Sequence, residues 1–231
     1  MKIGVLVTGR PPEALQDQFD GYDQFFARFL AEQGFDFAAW PVLDGVFPES
    51  VAEADGWLIT GSKYGAYEDH AWIPTLEAFV RDVYASGRPM VGICFGHQII
   101  AQALGGTVEK FEGGWSVGAT EYRLADGGTM TLNAFHQDQV IDPPPGTTTI
   151  AETEFCKHAG LAYRTNTMSL QPHPEFQSDY VKALLDARAS ALPAEIRDGA
   201  RQNLDAILHT TEAAAMVAAA LKAGKAEETD A

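Results

Sequence analysis

Apolar residues along the first hundred positions follow two spacings. Short apolar runs are typical of parallel strands buried on both faces, and between them apolar side chains recur at helical spacing. The runs are residues 3–7, 35–40, 56–60 and 90–93. Helical spacing covers residues 22–34 and 71–85 and resumes directly after Cys94. The order β-α-β-β-α-β-α predicts a mostly parallel, doubly wound sheet of flavodoxin-like type, flanked by helices.

The pattern changes after residue 106, where short strand-like segments are punctuated by glycine and proline. We expect them to form an antiparallel extension at one edge of the sheet. The segments are residues 107–111, 116–124, 129–135 and 148–154, followed by two further strands at 161–164 and 167–170.

Beyond Phe176 the chain is rich in alanine, leucine and charged residues, and we expect three helices there, at 178–190, 194–209 and 212–222. Amphipathic spacing in the second helix indicates that it packs on another element. A coiled-coil oligomerisation element is the alternative, but the apolar pattern is short and rich in alanine. The predicted organisation is an α/β domain at 1–176, helices packed on the same domain at 177–223, and a frayed acidic tail at 224–231.

Composition and charge argue against some classes of function. The chain has 231 residues, of which 46% are hydrophobic and 21% charged, so it can bury an ordinary core. A net charge of −16 argues against nucleic-acid binding. No apolar run approaches the roughly 18 residues of a membrane span, and no signal peptide is recognisable. We therefore expect a cytoplasmic protein with no membrane contact, no metal and no cofactor, whose oligomeric state stays open.

Gly92-x-Cys94-x-Gly96 stands where a strand turns sharply into a helix. This spacing follows the G-x-S-x-G nucleophile elbow, with sulfur in place of oxygen. The next helix points its N-terminus at the thiol, which favours the thiolate. The alternative is a buried structural cysteine. Cys94 and Cys156 do not have metal-binding spacing, and we expect both to be free thiols.

A cysteine nucleophile needs a base, which is expected to be a histidine oriented by a third group. Of the six histidines, His173 is the strongest candidate, because two prolines flank it and Glu175 follows on the same side of an extended segment. His97 lies one helical turn from Cys94 and is expected to brace the elbow instead. His136 is either a pocket-lining residue or an ordinary loop histidine. The remaining three are expected to be structural or on the surface.

An oxyanion intermediate requires two convergent N–H donors. The amide of Phe95, which follows the nucleophile, is one candidate. Gly61 comes at the end of the neighbouring strand and is the second candidate, with an ordinary loop glycine as the alternative.

Together, Val91-Gly-Ile-Cys-Phe-Gly-His-Gln98 and Pro172-His-Pro-Glu175 resemble the class I (triad) glutamine amidotransferase family, from residue 2 to about residue 176. The resemblance implies that Cys94 attacks the side-chain amide of L-glutamine, that His173 transfers the proton and that Glu175 orients His173. It also implies that ammonia and then glutamate leave through a γ-glutamyl thioester. Substrate-binding roles are implied for Gln98 and considered for His136, and an oxyanion hole for Gly61 with Phe95.

Departures from the family pattern bear on the acceptor of the ammonia. Thr60-Gly-Ser-Lys-Tyr64 replaces a loop with two glycines and a proline, and His136-Gln-Asp138 replaces His-Gly-Asp. No phosphate-binding signal of a synthetase domain occurs in the chain, so a synthetase or acceptor would act as a partner in trans. The pattern resembles stand-alone members, including a branch of γ-glutamyl peptidases.

Three hypotheses follow. The first is a glutamine amidotransferase-like hydrolase of L-glutamine or a γ-glutamyl compound. The second is a non-catalytic, partner-regulated member of the same family. The third is a related cysteine hydrolase or chaperone class, in which a histidine directly follows the nucleophile; Phe95 in that position counts against it.

Overall fold

The computed structural model describes residues 1–164 and 166–225. Within these residues the chain forms eleven strands and six α-helices. The strands are β1 (Lys2–Leu6), β2 (Asp36–Trp40), β3 (Gly56–Ile59), β4 (Met90–Ile93), β5 (Thr107–Lys110), β6 (Ser116–Leu124), β7 (Thr129–His136), β8 (Asp138–Asp142), β9 (Thr148–Glu152), β10 (Gly160–Ala162) and β11 (Thr167–Leu170). The helices are α1 (Tyr22–Phe29), α2 (Trp72–Ser86), α3 (Phe95–Ala103), α4 (Ser178–Ala187), α5 (Ala194–Gln202) and α6 (Thr210–Lys222).

Nine of the described strands form one sheet in the order β2-β1-β3-β4-β11-β10-β9-β6-β7. The five strands from β2 to β11 in this order are parallel to one another. The remaining four pair antiparallel. The predicted α/β architecture, a mostly parallel sheet with an antiparallel extension at one edge, is therefore confirmed.

The parallel half of the sheet determines where a site can form. Every residue of β3, β4 and β11 is buried, as expected for strands covered by helices on both faces. Because the carboxyl ends of parallel strands lie along one edge, the loops after β1, β3, β4 and β11 meet there.

One expected segment of the extension lies elsewhere. β5 pairs with β8 in a separate two-stranded sheet instead of joining the main sheet. The hydrophobic pattern does not predict β8, because Asp138, Gln139 and Asp142 interrupt its apolar residues. Backbone pairing with β5 stabilises this strand despite its polar sequence.

The second C-terminal helix is shorter than expected, since α5 ends at Gln202 instead of residue 209. The chain leaves the helix because His209 exchanges hydrogen bonds with β7. Its backbone N–H donates to the Thr131 carbonyl over 2.9 Å, and its Nδ1 accepts from the Thr131 N–H over 3.0 Å. Ile207 lies within the range expected to be helical but beyond the end of α5, and it is 86% exposed. The first C-terminal helix also ends early, at Ala187.

The C-terminal helices pack on two different parts of the molecule. Val217 and Leu221 of α6 are buried in one apolar cluster with Ile3 of β1. Tyr180 of α4 packs instead against the aromatic side chains of α1, with its ring 4.8 Å from that of Phe25. The division of the chain at residue 176 stays a prediction, and the expected tail falls largely outside the described residues. No described helix combines the length and the apolar character needed to cross a membrane.

Candidate active site

Cys94 occupies the sharp turn between β4 and α3. Its backbone has φ 54° and ψ −103°, and among the described residues it is the one non-glycine residue with positive φ. Such a conformation costs a non-glycine residue about 1–3 kcal/mol and is concentrated at functional sites. The Cys94 N–H donates to the Leu170 carbonyl over 2.8 Å, which ties the turn to the end of β11.

Glycines flank Cys94 because the backbone is too crowded for a side chain. A Cβ on Gly92 would overlap the carbonyl group of Gly96, and a Cβ on Gly96 would overlap the carbonyl oxygen of Ile59 in β3. The two glycines therefore let α3 pack closely against both strands. This contact fixes the height of the thiol above the sheet.

His173 and Glu175 form a buried pair after β11. The distance from His173 Nδ1 to Glu175 Oε1 is 2.7 Å, and the two side chains are 5% and 2% exposed. Because the carboxylate accepts a hydrogen bond from Nδ1, the free ring nitrogen is Nε2. Phe176 stacks on one face of the His173 ring. The two ring centroids lie 3.9 Å apart, and the ring planes are almost parallel, at 4°.

The structure brings Cys94, His173 and Gly61 together at the ends of three parallel strands. A methyl group placed on Gly61 would lie 2.7 Å from His173 Cε1 and 3.7 Å from Cys94 Cβ. Burial alone would lower the pKa of His173, but the Glu175 carboxylate, followed by the charge of Cys94, raises that pKa above its ordinary value. This arrangement therefore favours the protonated imidazole.

Gly61 is held by a residue that the sequence patterns do not single out. The buried hydroxyl of Thr8 lies 2.8 Å from the carbonyl oxygen of Thr60 and 3.1 Å from that of Gly61. Gly9 must also lack a side chain, because a Cβ there would lie 2.6 Å from the Gly61 carbonyl oxygen. The loop after β1 thus fixes the orientation of the Gly61 peptide. Phe95 is the first residue of α3, where backbone N–H groups have no intrahelical partner.

Asn133 is a second residue that the sequence patterns miss. Its carbonyl oxygen accepts the His173 N–H over 2.8 Å, and its side-chain amide donates to the Phe176 carbonyl over 2.9 Å. Both contacts cross about 40 positions of sequence, so no local spacing reveals them. Asn133 anchors both ends of the turn that carries His173 and Glu175.

Gln98 and His136 both line the pocket above Cys94. The Gln98 amide donates to the Asp138 carbonyl over 2.9 Å and to Gln171 Oε1 over 3.1 Å. His136 Nδ1 lies 3.2 Å from the same Asp138 carbonyl, so Nδ1 carries the proton and Nε2 is an acceptor. No described group bonds to this buried Nε2. Burial lowers the pKa of His136 to about 4, which leaves the ring uncharged at neutral pH.

Neither His97 nor Cys156 has the surroundings of a reacting group. His97 is buried beneath the elbow, with Nδ1 2.7 Å from Ser169 Oγ, and burial lowers its pKa to about 3. It braces α3 against β11, as expected. Cys156 is a buried free thiol, and burial raises its pKa to about 12. It therefore stays protonated.

The pocket above the thiol has a volume of about 210 Å³ and two unlike sides. One side is charged, with Lys110 interacting electrostatically with both Glu68 and Asp138. The other side is apolar and comes from one cluster built by α4 and the edge strands. Its pocket-facing members are Trp115, Phe135, Phe176, Leu184 and Leu192. Within residues 1–164 and 166–225, His, Cys, Asp and Glu form no group of three suited to holding a metal.

Comparison with known proteins shows the family to which the chain belongs. The family model of glutamine amidotransferase class I matches residues 14–186. Gamma-glutamyl peptidase 4 of Arabidopsis thaliana is 27% identical over 189 residues, which cover 75% of each chain. The glutamine-hydrolysing GMP synthase of Leifsonia xyli is 30% identical over 183 residues, which cover 68% of this chain and 35% of the synthase.

The fold is also that of solved amidotransferase structures. A glutamine amidotransferase from Methylobacillus flagellatus superposes with a TM-score of 0.75 at 21% identity, and the match covers 98% of this chain and 93% of the other. This likeness supports the fold, and the family model, which spans most of the chain, establishes the family. The chain belongs to the class I glutamine amidotransferases.

Proposed function

We propose that this protein hydrolyses the γ-amide bond of L-glutamine or of a γ-glutamyl compound, with Cys94 as nucleophile. One observation supports the proposal above all others. A cysteine in a strained strand-to-helix turn lies beside a buried histidine whose far nitrogen is bonded to a carboxylate. This arrangement is that of a Cys-His-acid triad, assembled from two distant chain segments.

In the first step the Cys94 thiolate attacks the γ-carbonyl carbon, and the carbonyl π electrons move to oxygen. The resulting oxyanion needs two N–H donors at about 2.7–3.1 Å. We assign these to Gly61 and Phe95. Gly61 suits the role because Thr8 fixes its peptide, and Phe95 because its amide lies at the positive end of α3.

In the second step the tetrahedral intermediate collapses. His173 Nε2 gives its proton to the leaving nitrogen, the C–N bond breaks, and a γ-glutamyl thioester remains on Cys94. Water then attacks the thioester while His173 accepts the water's proton, and glutamate leaves with regeneration of the thiolate. Glu175 keeps Nε2 directed at the reacting atoms and stabilises the imidazolium in both half-reactions.

Substrate binding is assigned to Gln98 and His136. The free Nε2 of the uncharged His136 ring can accept a hydrogen bond from an N–H group, such as the α-ammonium of a glutamyl substrate. The mixed charges of Glu68, Lys110 and Asp138 suit a zwitterionic head group, which carries both signs. Gln98 contributes the carbonyl oxygen of a side chain whose amide nitrogen is already bonded within the protein.

Two leaving groups remain candidates. Ammonia would leave if the substrate is L-glutamine, and a synthetase partner in trans would then correspond to the part of GMP synthase that this chain does not match. An amine or peptide would leave if the substrate is a γ-glutamyl compound. The similarity to a γ-glutamyl peptidase and the pocket's extended apolar side favour the second candidate.

Trapping of the thioester tests this proposal. The protein is mixed with L-glutamine or a γ-glutamyl peptide, quenched in acid within the first turnovers, digested and analysed by mass spectrometry. We expect the γ-glutamyl group on the peptide that contains Cys94. The same digest contains Cys156 as an internal control, because a buried thiol with a raised pKa should stay unmodified. An adduct on Cys156 alone, or on neither cysteine during active turnover, would refute the proposal.

A further inference from the structure

The apolar side of the pocket lies where the leaving group must depart. His173 protonates the leaving nitrogen in the proposed mechanism, so that nitrogen must face the His173 ring. The ring stacks directly on Phe176, which belongs to the apolar cluster. A leaving group larger than ammonia would therefore extend along the surface formed by Phe176, Leu184 and Leu192.

Arg188 is the one cationic side chain that lines this apolar side. It follows directly after α4, is half-buried, and lies near enough to Tyr180 to affect that hydroxyl group electrostatically. The family model ends at residue 186, so Arg188 lies just beyond the segment that defines the family. The family model therefore does not specify the residue at this position.

The guanidinium of Arg188 has no partner in the part of the chain that the structure describes. No ion pair or side-chain hydrogen bond involves it there, although the protein carries a net charge of −16 and supplies carboxylates to most of its other arginines. Two nearby examples are Arg197 with Asp198 and Arg201 with Asp186. A half-buried guanidinium without a partner, at the wall of a pocket, is suited to binding an anionic group of a ligand.

We propose that Arg188 binds a carboxylate on the leaving amine, so that the preferred substrates are γ-glutamyl amides of apolar amino acids or short peptides. The inference rests on the proposed γ-glutamyl hydrolase function and identifies its substrate class. The γ-glutamyl head lies on the charged side with Lys110 and Asp138, the scissile bond lies between Cys94 and His173, and the apolar amino acid lies on the Phe176 side. The free carboxylate of that amino acid then forms an ion pair with the Arg188 guanidinium.

The test compares two substrates that differ in one charge. γ-Glutamyl-leucine ends in a carboxylate, and γ-glutamyl-leucinamide ends in a neutral amide of the same size. The measured quantity is the ratio of their kcat/KM values, with L-glutamine assayed in parallel. We expect the wild-type protein to prefer the carboxylate by about 10- to 100-fold, the usual effect of a hydrogen bond between charged groups.

Substitutions of Arg188 test whether this residue causes the preference for the carboxylate. Arg188→Met should bring the ratio close to one, and Arg188→Lys should give an intermediate ratio, because a point charge replaces the two-pronged guanidinium. Arg123→Met is the matched control: it removes the same charge from an exposed arginine on β6 that pairs with Glu152, and it should leave the ratio at the wild-type value.

The outcomes separate this inference from the proposed function. A wild-type ratio near one, an unchanged ratio in Arg188→Met, or equal losses on both substrates would overturn the role of Arg188. Turnover of L-glutamine with neither dipeptide hydrolysed would also overturn it, while the proposed hydrolase function would stand. Turnover of none of the three substrates would overturn both.

Discussion

Cys94 combines two features that are separately uncommon in a cysteine: a positive φ and a position at a helix N-terminus. The first places the side chain at the pocket beyond the end of the sheet, and the second directs the positive end of the α3 dipole at it. Both side chains are buried, but Cys156 has neither feature and does not line the pocket. Backbone placement, more than residue type, therefore distinguishes the two thiols of this chain.

The Glu175 carboxylate is predicted to control the charge of His173. In Glu175→Gln, loss of the negative charge lowers the pKa of His173, and burial lowers it further. The imidazolium is then lost at a lower pH, so the alkaline limb of the kcat/KM profile should shift toward acid. We expect kcat to fall by about 10²–10⁴-fold, the usual contribution of positioned acid–base catalysis.

The pH profile, measured from about pH 5 to pH 10, distinguishes this role from a structural one. Melting temperature should be compared in parallel, since a merely destabilised protein would lose activity without moving the alkaline limb. An unshifted limb with wild-type kcat would show that Glu175 does not act on His173.

At the scale of elements, the turn after β11 that carries His173 depends on a strand from the antiparallel extension. Asn133 of β7 bonds to both ends of that turn, from His173 to Phe176. The extension is thus part of the catalytic framework in the proposed mechanism, and its contribution is to hold the base in place.

Replacing Asn133 by alanine should weaken that support. The Phe176 carbonyl would lose its donor, which costs about 1–3 kcal/mol of unfolding free energy. Misplacement of His173 should also lower kcat by up to about 10²-fold. Asn203→Ala is a suitable control, because Asn203 is exposed at the end of α5. Denaturant unfolding and steady-state kinetics check both effects, and a kcat equal to that of the control would contradict this role.

Sequence patterns predict the parallel half of the molecule well, because its strands and helices are each defined by local apolar spacing. They also predict Cys94, His173 and Glu175 as candidates, since the glycines and prolines that constrain these residues are their chain neighbours. Thr8, Asn133 and Arg188 could not be found in this way. Their partners or surroundings come from distant segments, and no local periodicity marks such contacts. β8 and the early end of α5 were missed for the same reason, since pairing with other strands overrides the local pattern.

At the scale of the whole molecule, the helices after residue 176 have separate roles. α4 contributes to the apolar side of the pocket, whereas α6 packs against β1 and β4 in a separate apolar cluster. The apolar side chains of α6 are already buried against β1 and β4, so this helix does not present an unpaired apolar face for a partner protein.

Removal of one α6 side chain should therefore destabilise the entire fold. Leu221 is fully buried, and Leu221→Ala should lower the free energy of unfolding by about 2–5 kcal/mol. Ile207→Ala makes a comparable truncation at an exposed site and should stay within about 0.5 kcal/mol of the wild-type protein. Equal stability of the two variants would mean that α6 is not integral to the core.

The central claim is that Cys94 performs the chemistry, and turnover by Cys94→Ala tests it most directly. The variant is assayed beside the wild-type protein and Cys156→Ala, with glutamate release from L-glutamine and from γ-glutamyl-leucine as the readout. Alanine keeps the turn free of a larger side chain, and circular dichroism verifies that the fold persists. We predict no detectable glutamate release by Cys94→Ala and substantial release by Cys156→Ala; release by a folded Cys94→Ala at the wild-type rate would contradict the account.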